Sequence, residues 1–166
     1  MELDEHAPLT FDFGDGPVPA HRHVNGGGWV ADSAFVEASA LVSGDAQVYG
    51  NAWVSGNARV SGNAWVYGDA WVSGDALVYG NARVSGDALV YGNARVSCSR
   101  DYALIGPIGS REAFLTWTRS DNSIATGCFR GTVAEFLRAV ADTHGDNEYA
   151  RTYRALIAFL EVIKGA

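Results

Sequence analysis

The amino-acid sequence predicts a mainly β protein in which a column of short strands is followed by a small α+β unit. A valine recurs at every sixth position from Val24 to Val96, thirteen times without interruption. A repeat this short and regular largely determines the architecture of the segment that contains it. After Val96 the repeat stops, and longer apolar runs and helical periodicity replace it.

Each repeat is predicted to form one short strand and one corner. Most repeats read Val-(Ser/Tyr)-Gly-(Asn/Asp)-Ala-x. Because successive strand side chains point to opposite faces, the alanine and valine share one face, while Trp65 and Tyr67 take the other. The following Gly68 and Asp69 tolerate the positive φ angles that turns require. Valine and alanine should therefore fill the inside of the column.

This pattern resembles the hexapeptide-repeat family of left-handed parallel β-helices. The resemblance implies that three hexapeptides form one triangular coil, so that residues 24–95 give about four coils. At about 4.8 Å between stacked strands, such a column is roughly 19 Å tall. The left-handed sense follows from the resemblance alone.

Sorting the outward residues by the coil period separates three unequal sides. One contains Trp29, Gln47, Trp65 and Arg83, another contains Leu41, Arg59, Leu77 and Arg95, and the third contains Phe35, Trp53, Trp71 and Leu89. The third side forms an aromatic stripe, and such a stripe is unusual on the exposed surface of a monomer. We expect an oligomer interface there, a trimer as in many proteins of the family. Two alternatives stay open: the C-terminal unit covers this side, or the rings stack on sugars or bases.

Three segments are predicted, namely an N-terminal cap (1–23), the repeat domain (24–97) and a C-terminal α+β unit (98–166). Open strand edges at both ends of the column need such caps. Asp15-Gly16 before Pro17 predicts a hairpin or a tight bend. Gly26 to Gly28 favour a capping bend over a phosphate contact, because no dinucleotide or P-loop motif surrounds them.

The C-terminal unit is predicted to have the order βββαα, with strands over residues 102–108, 113–119 and 123–129. A capping box from Thr132 to Glu135 starts the first helix, which should end at His144. Asp146 is expected to cap the second helix.

Five residues of this unit suggest a small-anion site. Arginine forks match phosphate oxygens, and a helix N-terminus offers backbone amides and a favourable dipole. The predicted ligand-binding residues are Ser110, Arg111, Arg130, Thr132 and His144. The competing interpretation is that two loop arginines, a turn serine and a capping threonine serve the fold alone.

Histidine usage argues against the enzymes of the resembled family. Those enzymes include acyltransferases with a histidine base and carbonic anhydrases with three zinc-bound histidines. Histidine occurs here only as His6, His21, His23 and His144. We therefore predict no catalytic residues, no metal and no cofactor, with an acyltransferase using His144 or His21 as the alternative. His21 and His23 share a face if extended, but two partly exposed cap histidines are favoured over a metal site.

The cysteines and charges limit the remaining classes. Cys98 and Cys128 match no metal or disulfide pattern, and Cys128 is expected to be a buried strand residue rather than an activated nucleophile. The net charge is −7 and no segment is strongly basic, so duplex nucleic acid is not an expected partner. Without a long apolar run or a secretory signal, we expect no membrane span and a cytoplasmic location.

A second resemblance concerns the segments outside the repeat. Four motifs are similar to those of a group of phage and prophage β-helix proteins. They are the start His23-Val24-Asn25-Gly26-Gly27-Gly28-Trp29-Val30 and the C-terminal motifs Ile108-Gly109-Ser110-Arg111, Gly127-Cys128-Phe129-Arg130-Gly131 and Thr143-His144-Gly145-Asp146-Asn147. The resemblance implies a phage setting, with the host cytoplasm as the location. Our leading hypothesis is a non-catalytic oligomer that sequesters a small nucleotide-type anion and so counters host defence signalling. A structural or assembly protein is a further alternative.

Overall fold

The computed structural model describes residues 9–165, so residues 1–8, including His6, lie outside the described residues. An N-terminal hairpin precedes a β-solenoid of about four coils, and a small antiparallel sheet with two helices follows it. The hairpin strands are β1 (Thr10–Asp12) and β2 (Pro17–Arg22). The solenoid strands are β3 (Trp29–Ala31), β4 (Phe35–Val36), β5 (Leu41–Val42), β6 (Gln47–Val48), β7 (Trp53–Val54), β8 (Arg59–Val60), β9 (Trp65–Val66), β10 (Trp71–Val72), β11 (Leu77–Val78), β12 (Arg83–Val84), β13 (Leu89–Val90) and β14 (Arg95–Val96).

The solenoid strands form three parallel sheets, one for each side of the coil. The hairpin side contains β3, β6, β9 and β12, the aromatic side contains β4, β7, β10 and β13, and the arginine side contains β5, β8, β11 and β14. On the aromatic side Trp53 pairs with Trp71, which pairs with Leu89, so each residue lies above the one eighteen positions earlier. The three columns of outward residues are those that the sequence predicts.

Valine and alanine fill the interior of the coils. From Ala40 to Val96 every alanine and valine of the repeat is fully buried. The first valine of the sequence period is the exception: Val24 is 82% exposed and lies in a turn before β3. The interior ladder therefore begins at Val30 rather than Val24. The reason is that Val24 lies in the turn that precedes the first coil, whose first strand begins at Trp29.

Glycines at the corners allow successive coils to lie close together. Gly74 has a φ of 73°, and a Cβ built on it would lie 3.0 Å from the backbone nitrogen of Gly92. Side chains also link the corners, because the Asn51 amide donates to the Asp69 carboxylate at 3.1 Å, and Asn57 donates to Asp75 at the same distance. Each corner column therefore combines positive φ with tight backbone contact.

Two segments close the N-terminal end of the solenoid. The predicted hairpin is confirmed, since β1 and β2 pair antiparallel and β2 continues onto β3. The bend at Asn25 to Gly28 closes the first strand of the arginine side, where Gly28 donates a backbone hydrogen bond to Val42 at 2.8 Å. A Cβ on Gly26 would meet the Val42 carbonyl oxygen at 2.5 Å, so the bend requires glycine there.

The C-terminal unit has four antiparallel strands, one more than predicted. They are β15 (Tyr102–Ile108), β16 (Ala113–Thr118), β17 (Ser123–Thr126) and β18 (Phe129–Thr132), and the helices are α1 (Val133–His144) and α2 (Glu148–Lys164). The predicted third strand is interrupted because Gly127 adopts a φ of 51° and reverses the chain. The cap predicted for α2 is also wrong: the Asn147 side chain accepts from the Ala150 amide, whereas Asp146 pairs with Arg154 at 2.7 Å.

This unit closes the C-terminal end of the solenoid on all three sides. Thr116 accepts a hydrogen bond from the Leu89 amide at 2.8 Å, and Ser120 accepts one from the Arg95 amide at 2.8 Å. The Tyr102 hydroxyl donates to the Arg83 carbonyl at 2.9 Å, and Leu104 packs against the last interior residues. The exposed strand edges of the last coil are thereby given side-chain partners.

The junction between coil and cap is held by one carboxylate. Asp101 accepts hydrogen bonds from the Ser97 amide and hydroxyl, each at 2.7 Å, and from the Cys98 amide. Burial opposes ionisation of Asp101, but these hydrogen bonds outweigh it and lower the pKa of the carboxyl below its ordinary value. Within residues 9–165, neither helix is long and apolar enough to cross a membrane.

The corner glycines lead to a testable prediction. Gly74→Ala and Gly92→Ala both place alanine at a φ above 60°, but only Gly74 has backbone packed above it. We expect Gly74→Ala to lower the free energy of unfolding by about 1 kcal/mol more than Gly92→Ala, because overlap adds to the common backbone strain. Denaturant unfolding of the two variants measures the difference. Equal losses would show that coil contact at the corners contributes nothing.

Candidate functional site

Several polar and nucleophilic side chains line a cleft of the C-terminal unit. The cleft has a volume of about 400 Å³. Its walls are the turn after β15, the turn between β17 and β18, and one face of α1, with Tyr153 of α2 at the base. Its polar lining residues are Ser110, Arg111, Thr126, Cys128, Thr143, His144 and Tyr153, and its apolar lining is formed chiefly by Phe129, Phe136 and Val140.

Arg111 and Cys128 approach each other across the mouth of the cleft. The Arg111 Nη1 donates to the Cys128 Sγ at 3.5 Å, and both residues are exposed. The expectation that Cys128 is buried in a strand is wrong, because the strand ends at Thr126 and the cysteine occupies the following turn. Both cysteines of the chain are free thiols. The cleft therefore presents a cation and a thiol side by side.

His144 and Tyr153 also line the cleft and lie close to each other. His144 is the last residue of α1, and its ring centroid lies 6.0 Å from that of Tyr153. Burial raises the pKa of the Tyr153 hydroxyl, while the nearby Arg111 charge partly offsets this effect. The Tyr153 hydroxyl packs against Gly109, at a position where any Cβ would overlap it. Gly109 therefore lets this hydroxyl reach the base of the cleft.

The structure separates the predicted anion-binding residues into two groups. Ser110, Arg111 and His144 line the cleft together. Arg130 does not line it, because its guanidinium lies over the Tyr91 ring with the Cζ atom 5.9 Å from the ring centroid. Thr132 is also outside the cleft, at the other end of α1.

The N-terminus of α1 is occupied by the chain itself. The predicted capping box is confirmed: the Thr132 amide donates to the Glu135 carboxylate at 2.8 Å, and the Glu135 amide donates to the Thr132 hydroxyl. These hydrogen bonds from Thr132 lower the pKa of Glu135. The Glu135 carboxylate thus already accepts the Thr132 amide and lies at the positive end of the helix dipole, where an external anion was expected.

The aromatic side carries three exposed rings. Phe35, Trp53 and Trp71 are 44%, 41% and 43% exposed, and their centroids are 4.0 Å and 5.7 Å apart. Leu89 is half-buried beneath the C-terminal unit, which does not reach the rings below. The interpretation that this unit covers the aromatic side is therefore wrong. The rings are open to solvent in the single chain.

The first two coils of the hairpin side, in contrast, are covered by residues that sequence reasoning did not assign. Phe11 stacks on Trp29 with centroids 4.4 Å apart, and Phe13 stacks on Tyr49 at 4.9 Å. The Arg83 guanidinium lies 4.4 Å from the centroid of the Trp65 ring. The alternation Phe11-Asp12-Phe13 could have indicated this contact, because it places two aromatic rings on the same face of a strand. The aromatic rings of the hairpin side thus have stacking partners within the chain, unlike the exposed rings of the aromatic side.

The two histidines of the cap point to different surroundings. His21 Nδ1 lies 2.8 Å from an Asp32 carboxylate oxygen and is exposed. His23 is buried, and its Nε2 lies 3.0 Å from the Ala40 carbonyl oxygen. The expectation of two partly exposed histidines is therefore wrong for His23, which follows the end of β2 at Arg22 and is buried where the chain turns under the first coil. In residues 9–165, no three His, Cys, Asp or Glu side chains are grouped as metal ligands.

Comparison with known families supports the architecture of the repeats. The YdcK β-solenoid repeat family matches the chain five times, over residues 46–59, 52–68, 58–74, 70–86 and 76–92. The chain is similar to that family within the repeats, which cover less than half of it. No curated protein and no solved structure matches the chain.

Proposed function

We propose that this protein is a non-catalytic binding protein whose C-terminal cap holds a small anionic ligand of the nucleotide type. The observation that carries the proposal is the convergence of Ser110, Arg111 and His144 on one cleft with an aromatic floor. Three polar groups with donor capacity and a mostly apolar wall are the usual composition of a small-molecule site.

The cleft suits a phosphate attached to an apolar or aromatic body. The planar guanidinium of Arg111 can donate two hydrogen bonds to phosphate oxygens, and it makes no salt bridge among the described residues. Phe136 and Tyr153 offer apolar surface to a base or a ribose. A volume of about 400 Å³ lies within the range of small-molecule pockets.

The direction of the α1 dipole makes Arg111 important for binding an anion in the cleft. The cleft lies at the C-terminal end of α1, where the helix dipole carries partial negative charge and opposes an anion. Arg111 is the cation that lines the cleft, and His144 adds one ring N–H that can donate a hydrogen bond. The affinity for an anion should therefore depend strongly on Arg111.

We include in this proposal a phage origin, a location in the host cytoplasm and a trimeric assembly. The resemblance of the repeats supports a left-handed coil, and the resemblance of the flanking motifs supports a phage origin. In a host cytoplasm, a rigid protein with several such clefts would retain nucleotide signals and blunt host defence. Exposure of Phe35, Trp53 and Trp71, with Leu89 at the end of the column, supports a trimer interface on the aromatic side.

Calorimetric titration with cyclic dinucleotides, ADP-ribose and acetyl-CoA tests the ligand class. We expect at least one of the nucleotides to bind in the micromolar range or more tightly. Arg111→Ala should weaken binding by about 10- to 100-fold, the usual cost of losing a charged hydrogen bond. Arg130→Ala is the matched control and should bind as the natural chain does, because Arg130 lies outside the cleft. Absence of binding across the panel, or an equal loss in both variants, would contradict the proposal. Turnover of acetyl-CoA would instead favour the acyltransferase alternative.

Light scattering of the purified protein tests the interface. We expect the mass of a closed trimer, and Trp53→Lys should shift the mass towards the monomer because a charge would be buried in the interface. Tyr79→Lys, which changes a 42% exposed residue of a different side, serves as the control and should leave the mass unchanged. A monomer at high concentration would refute the interface, and a mass that keeps rising with concentration would favour the assembly alternative.

A further inference from the structure

A second hollow lies at the opposite end of the molecule from the C-terminal cleft. It has a volume of about 470 Å³ and lies between the hairpin turn and the corners of the first two coils. Its wall is mainly apolar and includes Phe13, Val18, Pro19 and Tyr49. We refer to this hollow as the hairpin groove.

Among residues 9–165, the charged side chains that line the hairpin groove are the carboxylates Asp15 and Asp32, which belong to different segments of the chain. Asp15 belongs to the hairpin turn, whose shape is fixed because the Asp12 carboxylate accepts the Gly14 and Gly16 amides at 2.8 Å and 3.0 Å. Asp32 belongs to the first coil and is held by its 2.8 Å contact with His21. Within residues 9–165, Asp15 has no salt-bridge partner.

The aromatic wall of the groove lies close enough to Asp15 for the two to interact electrostatically. Burial raises the pKa of the Tyr49 hydroxyl, and the neighbouring Tyr67 and Asp15 raise it further, whereas Arg83 lowers it. The Tyr49 ring itself stacks between Phe13 and Tyr67, with centroid distances of 4.9 Å and 5.0 Å. The Tyr49 ring is therefore packed on both faces, and the wall that it forms is apolar.

We infer that the hairpin groove binds a small organic cation, an ammonium or guanidinium group on an apolar body. The apolar body is buried against Val18, Pro19 and the aromatic wall, which removes apolar surface from water. The cationic head lies between Asp15 and Asp32, where a charged hydrogen bond replaces its contacts with water. An anion of the same shape would be repelled by both carboxylates, and a neutral analogue would lack the ion pair. This site is separate from the proposed anion cleft and does not depend on it.

Calorimetric titration with phenethylamine, phenethyl alcohol and 3-phenylpropionate tests the inference, because the three probes share a phenyl ring and differ in charge. We expect the amine to bind at least tenfold more tightly than the alcohol and the carboxylate to show no binding. Asp15→Asn should reduce the amine affinity about tenfold and leave the affinity for the alcohol unchanged. Asp45→Asn removes an exposed carboxylate from a solenoid corner outside the groove and is the matched control.

The titrations distinguish binding of a cation in the hairpin groove from non-specific binding and from loss of the fold. Equal binding of amine and alcohol, no binding of the amine at millimolar concentration, or an equal effect of Asp15→Asn and Asp45→Asn would overturn the inference. An unchanged thermal unfolding midpoint in Asp15→Asn shows that the loss of binding is not a loss of fold. Retention of nucleotide binding in that variant keeps the result distinct from any failure of the anion cleft.

Discussion

The stacking of each coil on the one before it is the interaction on which the rest of the molecule depends. Backbone amides of one coil donate to carbonyls of the next, as Trp53 does to Ala70 and Ser55 does to Val72, at 2.9 Å and 3.0 Å. This ladder holds only if every corner turns by the same amount and brings no side chain between the coils. Glycine at the corner and alanine and valine inside meet both conditions. The monotony of the sequence is thus a consequence of stacking.

Because the interior accepts so few residue types, differences between parts of the molecule are confined to the outward positions and the two caps. The outward positions form three columns; the hairpin covers the start of one, at Trp29 and Tyr49, and the aromatic rings of another stay open. The caps are where longer strands, helices and turns become possible, and the C-terminal cleft and the hairpin groove are formed there. One hollow presents the cation Arg111 and the other presents the carboxylates Asp15 and Asp32. The solenoid lies between these two hollows of opposite charge.

Much of the fold could be predicted from the sequence, because the six-residue period directly encodes which side chains share a column. The capping box at Thr132 and Glu135 was also predictable, since it depends on neighbours three residues apart. The site could be predicted only in part. Ser110, Arg111 and His144 come together through tertiary packing, and Arg130 is diverted to Tyr91 by the extra strand that Gly127 creates. No local pattern specifies that packing, nor the way Phe11 and Phe13 cover the hairpin side.

Removal of one complete coil tests the central claim, that stacked eighteen-residue coils form a scaffold independent of their number. Deletion of residues 55–72 joins Val54 to Ser73 and keeps every column in phase. Deletion of residues 58–72 removes three residues fewer and places the next valine out of phase. Far-ultraviolet circular dichroism during thermal unfolding should show a folded β protein with one cooperative transition for the first deletion and no such transition for the second. Loss of the fold in the first deletion, or equal stability of the two, would contradict the account.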